Sequence, residues 1–313
     1  MKKKIMMSLF LALLFPSVVT LAWSGGVGGW ERHAAMESGK RILLDRGTTV
    51  TAMDVEEYLC GIVAKQIPPD YGKEALKAQA MIARTYLYGI MGDENEMPES
   101  ALDLDYPEEK QLRQMWGREK MAEYYKNIKE AVEETKGQVI TYEGSLITPL
   151  FHRASTGRTR ESKDGLAYIK AVESNKDVEA DGFLQMQVFT TEDFAARIRE
   201  IPEAGELKET DLFSQIQLIS KDESGYVEEI QIGSRSYTGE EIQYALGLPS
   251  ASFALEDYEG NVRAVVKGIG HGYGMSQYGA KVKASEGWTA EEILAYYYSG
   301  AEAGKVPGHG EPK

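Results

Sequence analysis

The feature that most restricts how this chain folds is a long amphipathic segment over residues 70–91. Its apolar residues recur at steps of three and four, which places them on one side of a helix: Leu76, Ala80, Ala83, Leu87 and Ile90. Asp70 is expected to cap the N-terminal end of this helix. We interpret the apolar run before it as a strand, so the segment Cys60–Thr85 has the strand, turn and helix layout of an active site.

The remaining segments alternate between helices and hairpins. Residues 108–135 have a strongly helical composition, and residues 137–155 predict two strands joined by a turn at Glu143-Gly144. Further signals predict a hairpin that turns near 223–225, a short helix after Thr238, a strand and Gly-rich loop over 261–280, and a last helix over 289–298. Because these segments follow no strict βαβ period, the predicted fold class is α+β, with mixed helices and antiparallel hairpins.

The N-terminal 23 residues carry three lysines followed by 19 uncharged residues, from Ile5 to Trp23. This pattern predicts either a membrane anchor, which we favour, or a cleaved signal peptide. The positive-inside rule then places the rest of the chain outside the cytoplasm, as a single-pass membrane protein or, after cleavage, a secreted one. We expect a flexible Gly-rich tether over residues 24–40, one folded domain over 41–300 and a disordered tail over 301–313.

Composition excludes several classes of function. The 35 Lys and Arg residues against 49 Asp and Glu give a net charge of −14, which argues against nucleic acid as a partner. Cys60 is the only cysteine in the chain, which excludes an intramolecular disulfide and a cysteine-based zinc site. Its sharper interpretation is a thiol nucleophile, with His152 as base; we favour a small buried apolar residue. His152 and His271 lack metal-site spacing, and we expect neither metal nor cofactor.

Three clusters carry the candidate chemistry: Cys60–Thr85, residues 151–162 and residues 268–280. The third, GIGHGYGMSQYGA, holds five glycines in 13 residues, which allows the backbone to approach a ligand closely. Its polar side chains suit a polyhydroxyl ligand, although a tight structural turn is the alternative. The second cluster, FHRASTGRTRES, lacks the G-x-S-x-G motif of serine hydrolases. On the helix, a solvated polar face is the alternative to ligand binding for Lys77 and Arg84.

Five motifs are spread from about Thr51 to Gly300: VEEYLCGIVAKQIP, EALKAQAMIART, FHRASTGRTRESKD, YALGLPSASF and GHGYGMSQYGAKVKASEGWTAEEILAYYYSGAE. In order and spacing they resemble the stage II sporulation protein D family. The resemblance implies a lytic transglycosylase that cleaves the MurNAc-β-1,4-GlcNAc bond of peptide-free peptidoglycan strands during engulfment. It implies stage II sporulation proteins M and P as partners, no cofactor, and a central glycan-binding cleft. The residues expected to line that cleft are Lys77, Arg84, His152, Ser155, His271, Ser276 and Gln277.

The family's general acid is a Glu two residues before a Pro, and this position is Gln66 here. An amide can hydrogen-bond a glycosidic oxygen but has no titratable proton to give. Three explanations follow for Gln66. It is an engineered replacement of a Glu, or the natural protein is a weakened enzyme or a glycan-binding scaffold, or another carboxylate is the acid. For the last case Glu74 is the first candidate and Glu57 the second. We favour a natural Gln, because Lys65 and Ile67 also differ from the Ser and Met expected in the family.

Overall fold

The computed structural model describes residues 38–305, so the predicted leader and nearly all of the tether lie outside the described range. Within this range, none of the helices combines the length and the apolar character that spanning a bilayer requires. The folded region begins slightly earlier than predicted. Lys40, assigned to the tether from the sequence, is buried, and its Nζ donates to the carbonyl oxygens of Gly92 and Glu94 at 2.8 and 2.6 Å.

The described residues form eight α-helices and fourteen strands. The helices are α1 (Val55–Gln66), α2 (Lys73–Met91), α3 (Glu109–Trp116), α4 (Met121–Glu134), α5 (Thr191–Arg199), α6 (Gly239–Leu246), α7 (Gln277–Ser285) and α8 (Ala290–Tyr297). The strands are β1 (Arg41–Asp45), β2 (Val50–Asp54), β3 (Glu96–Pro98), β4 (Gln138–Tyr142), β5 (Ser145–Leu146), β6 (Phe151–His152), β7 (Leu184–Phe189), β8 (Ile216–Lys221), β9 (Val227–Ile232), β10 (Arg235–Tyr237), β11 (Phe253–Tyr258), β12 (Asn261–Lys267), β13 (Met275–Ser276) and β14 (Glu302–Lys305).

The predicted α+β class is confirmed. The strands pair in five small sheets, with the orders β2-β1-β3, β10-β9-β8, β11-β12-β7, β13-β6 and β14-β4-β5. Pairing in the described range is antiparallel except for β1 with β3 and β6 with β13. The short parallel β6–β13 pair joins the second sequence cluster to the third, because it aligns Phe151 with Met275 and His152 with Ser276.

The interpretation of Cys60–Ala64 as a strand is wrong, because these residues lie inside helix α1. Asp54 caps that helix by accepting a hydrogen bond from the Glu56 N–H at 2.9 Å, and acidic residues follow in the first turn. The whole run from Tyr58 to Ala64 is buried. A continuously buried run shows no periodicity, so the sequence pattern alone cannot separate strand from helix.

Helix α2 contains the predicted amphipathic segment, but it begins at Lys73 and Asp70 does not cap it. The residue before it is Gly72 at φ 88°, which offers no side-chain cap. The predicted apolar side is buried except for Ile90, which is exposed at the last turn. Helix α2 packs against α1, α4, α7 and α8, so it connects the N-terminal and C-terminal parts of the domain.

Two further regions complete the domain. Residues 189–266 form their own apolar core from β7, β9, β11, β12 and the helices α5 and α6. At the C-terminal end, Glu302–Lys305 form β14, which pairs antiparallel with β4. The expectation of a disordered tail from residue 301 is therefore wrong for these four residues, and residues 306–313 lie outside the described range.

Candidate functional site

Gln66 is the last residue of α1, and two other glutamines hold it in place. The Gln79 Nε2, from the buried side of α2, donates to the Gln66 Oε1 at 2.9 Å. The Gln277 Nε2, at the start of α7, donates to the Gln66 backbone oxygen at 2.7 Å and to the Gln79 Oε1 at 3.2 Å. The structure thus brings the first and third sequence clusters together at Gln66.

A surface cavity of about 500 Å³ adjoins Gln66. Its walls come from the C-terminal turn of α1 and from the loop after β3, and the lining residues are Ile62, Lys65, Gln66, Glu99, Ser100, Asp103, Leu104 and Asp105. The loop over residues 99–105 is a functional candidate that was not among the three clusters predicted from the sequence. Its sequence, ESALDLD, is rich in acidic residues but matches no motif.

Glu99 fixes one wall of this cavity. Its Oε1 accepts from the Tyr106 N–H at 2.7 Å and from the Tyr58 hydroxyl at 3.2 Å, while its Oε2 pairs with Arg46 at 2.7 Å. Lys65 reaches across the cavity and pairs with Asp105 at 2.9 Å. The loop is therefore anchored to α1 and to the turn that follows β1, and the cavity has a defined shape beside residue 66.

Glu74 and Glu57, the two fallback acids, do not line the cavity beside Gln66. The Glu74 carboxylate accepts from the backbone N–H of Ala290, the first residue of α8, at 2.8 Å and pairs with Lys77 at 3.1 Å. Glu57 precedes Gln66 by nine residues on α1, which corresponds to about 13 Å along the axis and about 180° around it. Neither carboxylate lines the cavity.

Arg84 does not line a cleft, and this expectation from the sequence is wrong. Its side chain is fully buried, with Nε and Nη2 donating to the two Glu56 carboxylate oxygens at 2.9 and 2.6 Å. The remaining donors reach the carbonyl oxygens of Val132 and Gln138 at 3.1 Å. Arg84 is thus a structural cation that joins α1, α2 and α4. Lys77 is partly exposed but belongs to the Glu74 pair and does not line the cavity.

Ser155 and Ser276 are also buried, and both bind one buried carboxylate, Asp177. Ser155 donates its N–H and hydroxyl to the Asp177 Oδ2 at 2.7 and 2.6 Å, and the Ser276 hydroxyl donates to Oδ1 at 2.9 Å. Ser276 also caps α7, because its Oγ accepts from the Gly279 N–H at 3.1 Å. The expected ligand-binding role of the two serines is therefore wrong: they fasten the second and third clusters around Asp177, which the sequence did not single out.

His152 is the last residue of β6, and His271 lies in the Gly-rich loop before β13. Both side chains contact the backbone of Tyr273. The His152 Nδ1 lies 3.1 Å from the Tyr273 carbonyl oxygen, and the His271 Nδ1 accepts from the Tyr273 N–H at 3.0 Å. Burial lowers the pKa of His152 to about 3, and burial also lowers the pKa of His271. His152 is closed off from solvent, so it cannot contact a ligand in this arrangement, whereas His271 is partly exposed.

Cys60 is buried, and its Sγ lies 3.5 Å from the Glu56 carbonyl oxygen. Burial raises the pKa of the thiol to about 12. Since the thiolate is the nucleophile, this environment supports the apolar interpretation of Cys60 and leaves the thiol-peptidase alternative without a reactive group. Over residues 38–305, no group of three or more His, Cys, Asp or Glu side chains is placed to hold a metal ion.

Comparisons with known proteins identify the relatives of this chain. A family model described as stage II sporulation protein matches residues 45–142. Stage II sporulation protein D of Bacillus amyloliquefaciens is 31% identical over 266 residues, which cover 81% of this chain and 75% of that protein. The protein of the same name from Bacillus subtilis (strain 168) is 31% identical over 267 residues, with the same coverage. The amidase enhancer of Bacillus subtilis is 27% identical over 295 residues, 77% of this chain and 39% of that protein.

The region matched by the family model contains both Gln66 and Gln79, the residues that meet beside the cavity. The similarity to the two Bacillus proteins extends over 81% of the chain and so includes much more than this region. The chain therefore belongs to the stage II sporulation protein D family.

Proposed function

We propose that this protein binds peptide-free peptidoglycan strands and cleaves them as a lytic transglycosylase whose acid step is weakened by Gln66. The observation that carries the proposal is Gln66 at the edge of the cavity, with its side chain fixed by Gln79 and its backbone oxygen bound by Gln277. The family resemblance supplies the reaction: cleavage of the MurNAc-β-1,4-GlcNAc bond with a 1,6-anhydro end.

A lytic transglycosylase needs one group that protonates the leaving oxygen and then accepts a proton from the C6 hydroxyl of the same sugar. Gln66 has its Oε1 occupied by Gln79, so its Nε2 is the atom left to donate a hydrogen bond to the bridging oxygen. That bond positions the strand and polarises the oxygen, but no proton is transferred. Loss of a general acid typically lowers a rate by about 10²–10⁴-fold, so we expect slow cleavage.

A non-catalytic glycan-binding scaffold of the engulfment complex is the second candidate. The orientation of Glu74 toward α8, and the distance of Glu57 along α1, favour it, because neither carboxylate replaces the missing acid. For both candidates we propose the same setting: the extracytoplasmic face of the cell membrane or the septal space, with attachment through the N-terminal segment and stage II sporulation proteins M and P as partners.

The test is incubation of the full-length protein with glycan strands from which an amidase has removed the stem peptides. Sedimentation of the strands measures binding, and mass spectrometry counts 1,6-anhydro-muramic ends. We expect clear binding with few anhydro ends. Binding with none in a long incubation would favour the scaffold, and absence of binding would overturn both candidates.

A further inference from the structure

Two cations and two tyrosines form a cluster outside the hydrogen-bond network described above. The guanidinium carbon of Arg153 lies 5.3 Å from the ring centroid of Tyr71. The Lys281 Nζ lies 5.1 Å from the same ring and 5.0 Å from the ring of Tyr278, and the two rings meet edge to face at 6.2 Å. We call Tyr71, Arg153, Tyr278 and Lys281 the cationic–aromatic cluster.

Within residues 38–305, the cations of this cluster have no carboxylate partner, although the chain has a net charge of −14. The buried arginines of residues 38–305, Arg84 and Arg160, both form ion pairs with acidic side chains. No ion pair within that range includes Arg153 or Lys281, although both are partly buried. Burial raises the pKa of Tyr71, and Asp70 and Asp181 add to the increase, but neither carboxylate forms an ion pair with Arg153 or Lys281 within that range. Two cations that lie near the same aromatic ring and pair with no carboxylate in the described range are suited to an anionic ligand.

The cluster adjoins the candidate site through two short connections. Tyr71 lies in the segment between α1 and α2, five residues after Gln66. Tyr278 directly follows Gln277, whose side chain donates to the Gln66 backbone oxygen, and the Tyr278 N–H donates to the Arg153 carbonyl oxygen at 3.0 Å. The cluster is therefore connected to residue 66 through the chain at Tyr71 and through Gln277 beside Tyr278.

We infer that the cationic–aromatic cluster is a subsite for the free lactyl carboxylate of a muramic acid residue, with the partly exposed Tyr278 ring beside the sugar and the buried Tyr71 ring holding the two cations. This inference rests on the proposed function and deepens it. Each muramic acid carries a lactyl group whose carboxyl is amide-linked to the stem peptide, and removal of the peptide frees one anionic carboxylate on that sugar. Arg153 and Lys281 pair with that carboxylate, so the cluster selects peptide-free strands over other glycans.

The experiment compares three probes on the full-length protein: peptide-free strands, the same strands with their lactyl carboxylates converted to carboxamides, and chitin oligosaccharides of similar length. We expect the wild type to bind the free-carboxylate strands about tenfold more tightly than the other two probes, as for a partly solvated charge-assisted contact. Arg153→Gln and Lys281→Gln should each remove most of that preference while leaving the affinity for chitin oligosaccharides unchanged. The unchanged affinity for chitin oligosaccharides also shows that the variants are folded.

Arg118→Gln is the matched control, because the substitution removes the same positive charge from an exposed position between α3 and α4. It should keep the preference. Equal binding of all three probes by the wild type, or an unchanged preference in both cluster variants, would overturn the inference while the proposed function stands. If the wild type binds none of the probes, the proposed function fails and the subsite fails with it.

Discussion

The Gln79 Nε2 donates to the Gln66 Oε1 at 2.9 Å, and this contact ties the buried side of α2 to the last residue of α1. Gln79 is fully buried and accepts from Gln277 with its own oxygen, so one side chain links the helix pair to the Gly-rich cluster. A carboxylate at residue 66 would accept the same hydrogen bond. Residue 66 would therefore be held by Gln79 in the same way whether it carried an amide or a carboxylate.

The buried ion pair between Arg84 and Glu56 should be a principal determinant of stability. Arg84→Met removes the cation and leaves the Glu56 carboxylate buried without its partner. We expect the free energy of unfolding to fall by about 3–5 kcal/mol, measured by urea titration. Arg113→Met, which breaks the exposed pair with Glu109, is the control and should cost at most about 1 kcal/mol. Similar losses in the two variants would show that burial of the Arg84 pair does not matter.

Local signals sufficed for some of this fold and failed for the rest. Helix α6 could be predicted from the sequence, because its capping box is formed by Thr238 and Glu241, which are only three residues apart at the start of the helix. The roles of Ser155 and Ser276 could not be predicted in the same way. They depend on Asp177, which is separated from them by 22 and 99 residues and carries no motif of its own.

In the candidate site too, some features could be predicted from local sequence and others depend on distant residues. The position of Gln66 followed from its motif, and its proximity to Gln277 was expected. The acidic wall of the cavity was missed, because the long-range partners that hold Glu99 in place, Tyr58 and Arg46, lie 41 and 53 residues away in the sequence. Arg84 was misjudged because a charge on an amphipathic helix gives no sequence sign of a buried partner on another helix.

His152 should make the protein acid-sensitive. Burial lowers its pKa from 6.5 to about 3, so the unfolded chain binds a proton that the folded chain excludes. The stability contributed by neutral His152 is fully present above pH 6.5 and is lost as the pH falls toward 3, by on the order of 4 kcal/mol. His152→Asn keeps a donor for the Tyr273 carbonyl and removes this titration. Urea unfolding of both forms from pH 7 to pH 4 should show a shallower decline in the variant; parallel curves would assign the acid sensitivity to other groups.

Cys60 should be inert in the folded protein. Burial and the raised thiol pKa of about 12 leave almost no accessible thiolate at pH 8. We expect Ellman's reagent to label Cys60 only after unfolding in urea, and Cys60→Ala to leave strand binding unchanged. Rapid labelling of the native protein, together with loss of binding or cleavage in the alanine variant, would restore the thiol as a functional group.

On the proposed function, Gln66→Glu should supply the general acid that protonates the leaving oxygen. The new carboxylate keeps the hydrogen bond from Gln79 and supplies a proton to the leaving oxygen, which the amide cannot do. We expect the production of 1,6-anhydro ends to rise by about two to four orders of magnitude, measured by mass spectrometry on peptide-free strands. Strand affinity should change little, because Gln and Glu are nearly equal in size.

The controls for this exchange are Glu74→Gln and the double variant that combines it with Gln66→Glu. Because Glu74 is engaged by Ala290 and Lys77, its loss should leave the restored activity in place. Equal activity of the wild type and Gln66→Glu, with loss of activity in Glu74→Gln, would instead assign the acid to α2. If Gln66→Glu binds strands as the wild type does and still releases no anhydro ends, the cavity lacks more than its acid, and glycan binding alone is the function.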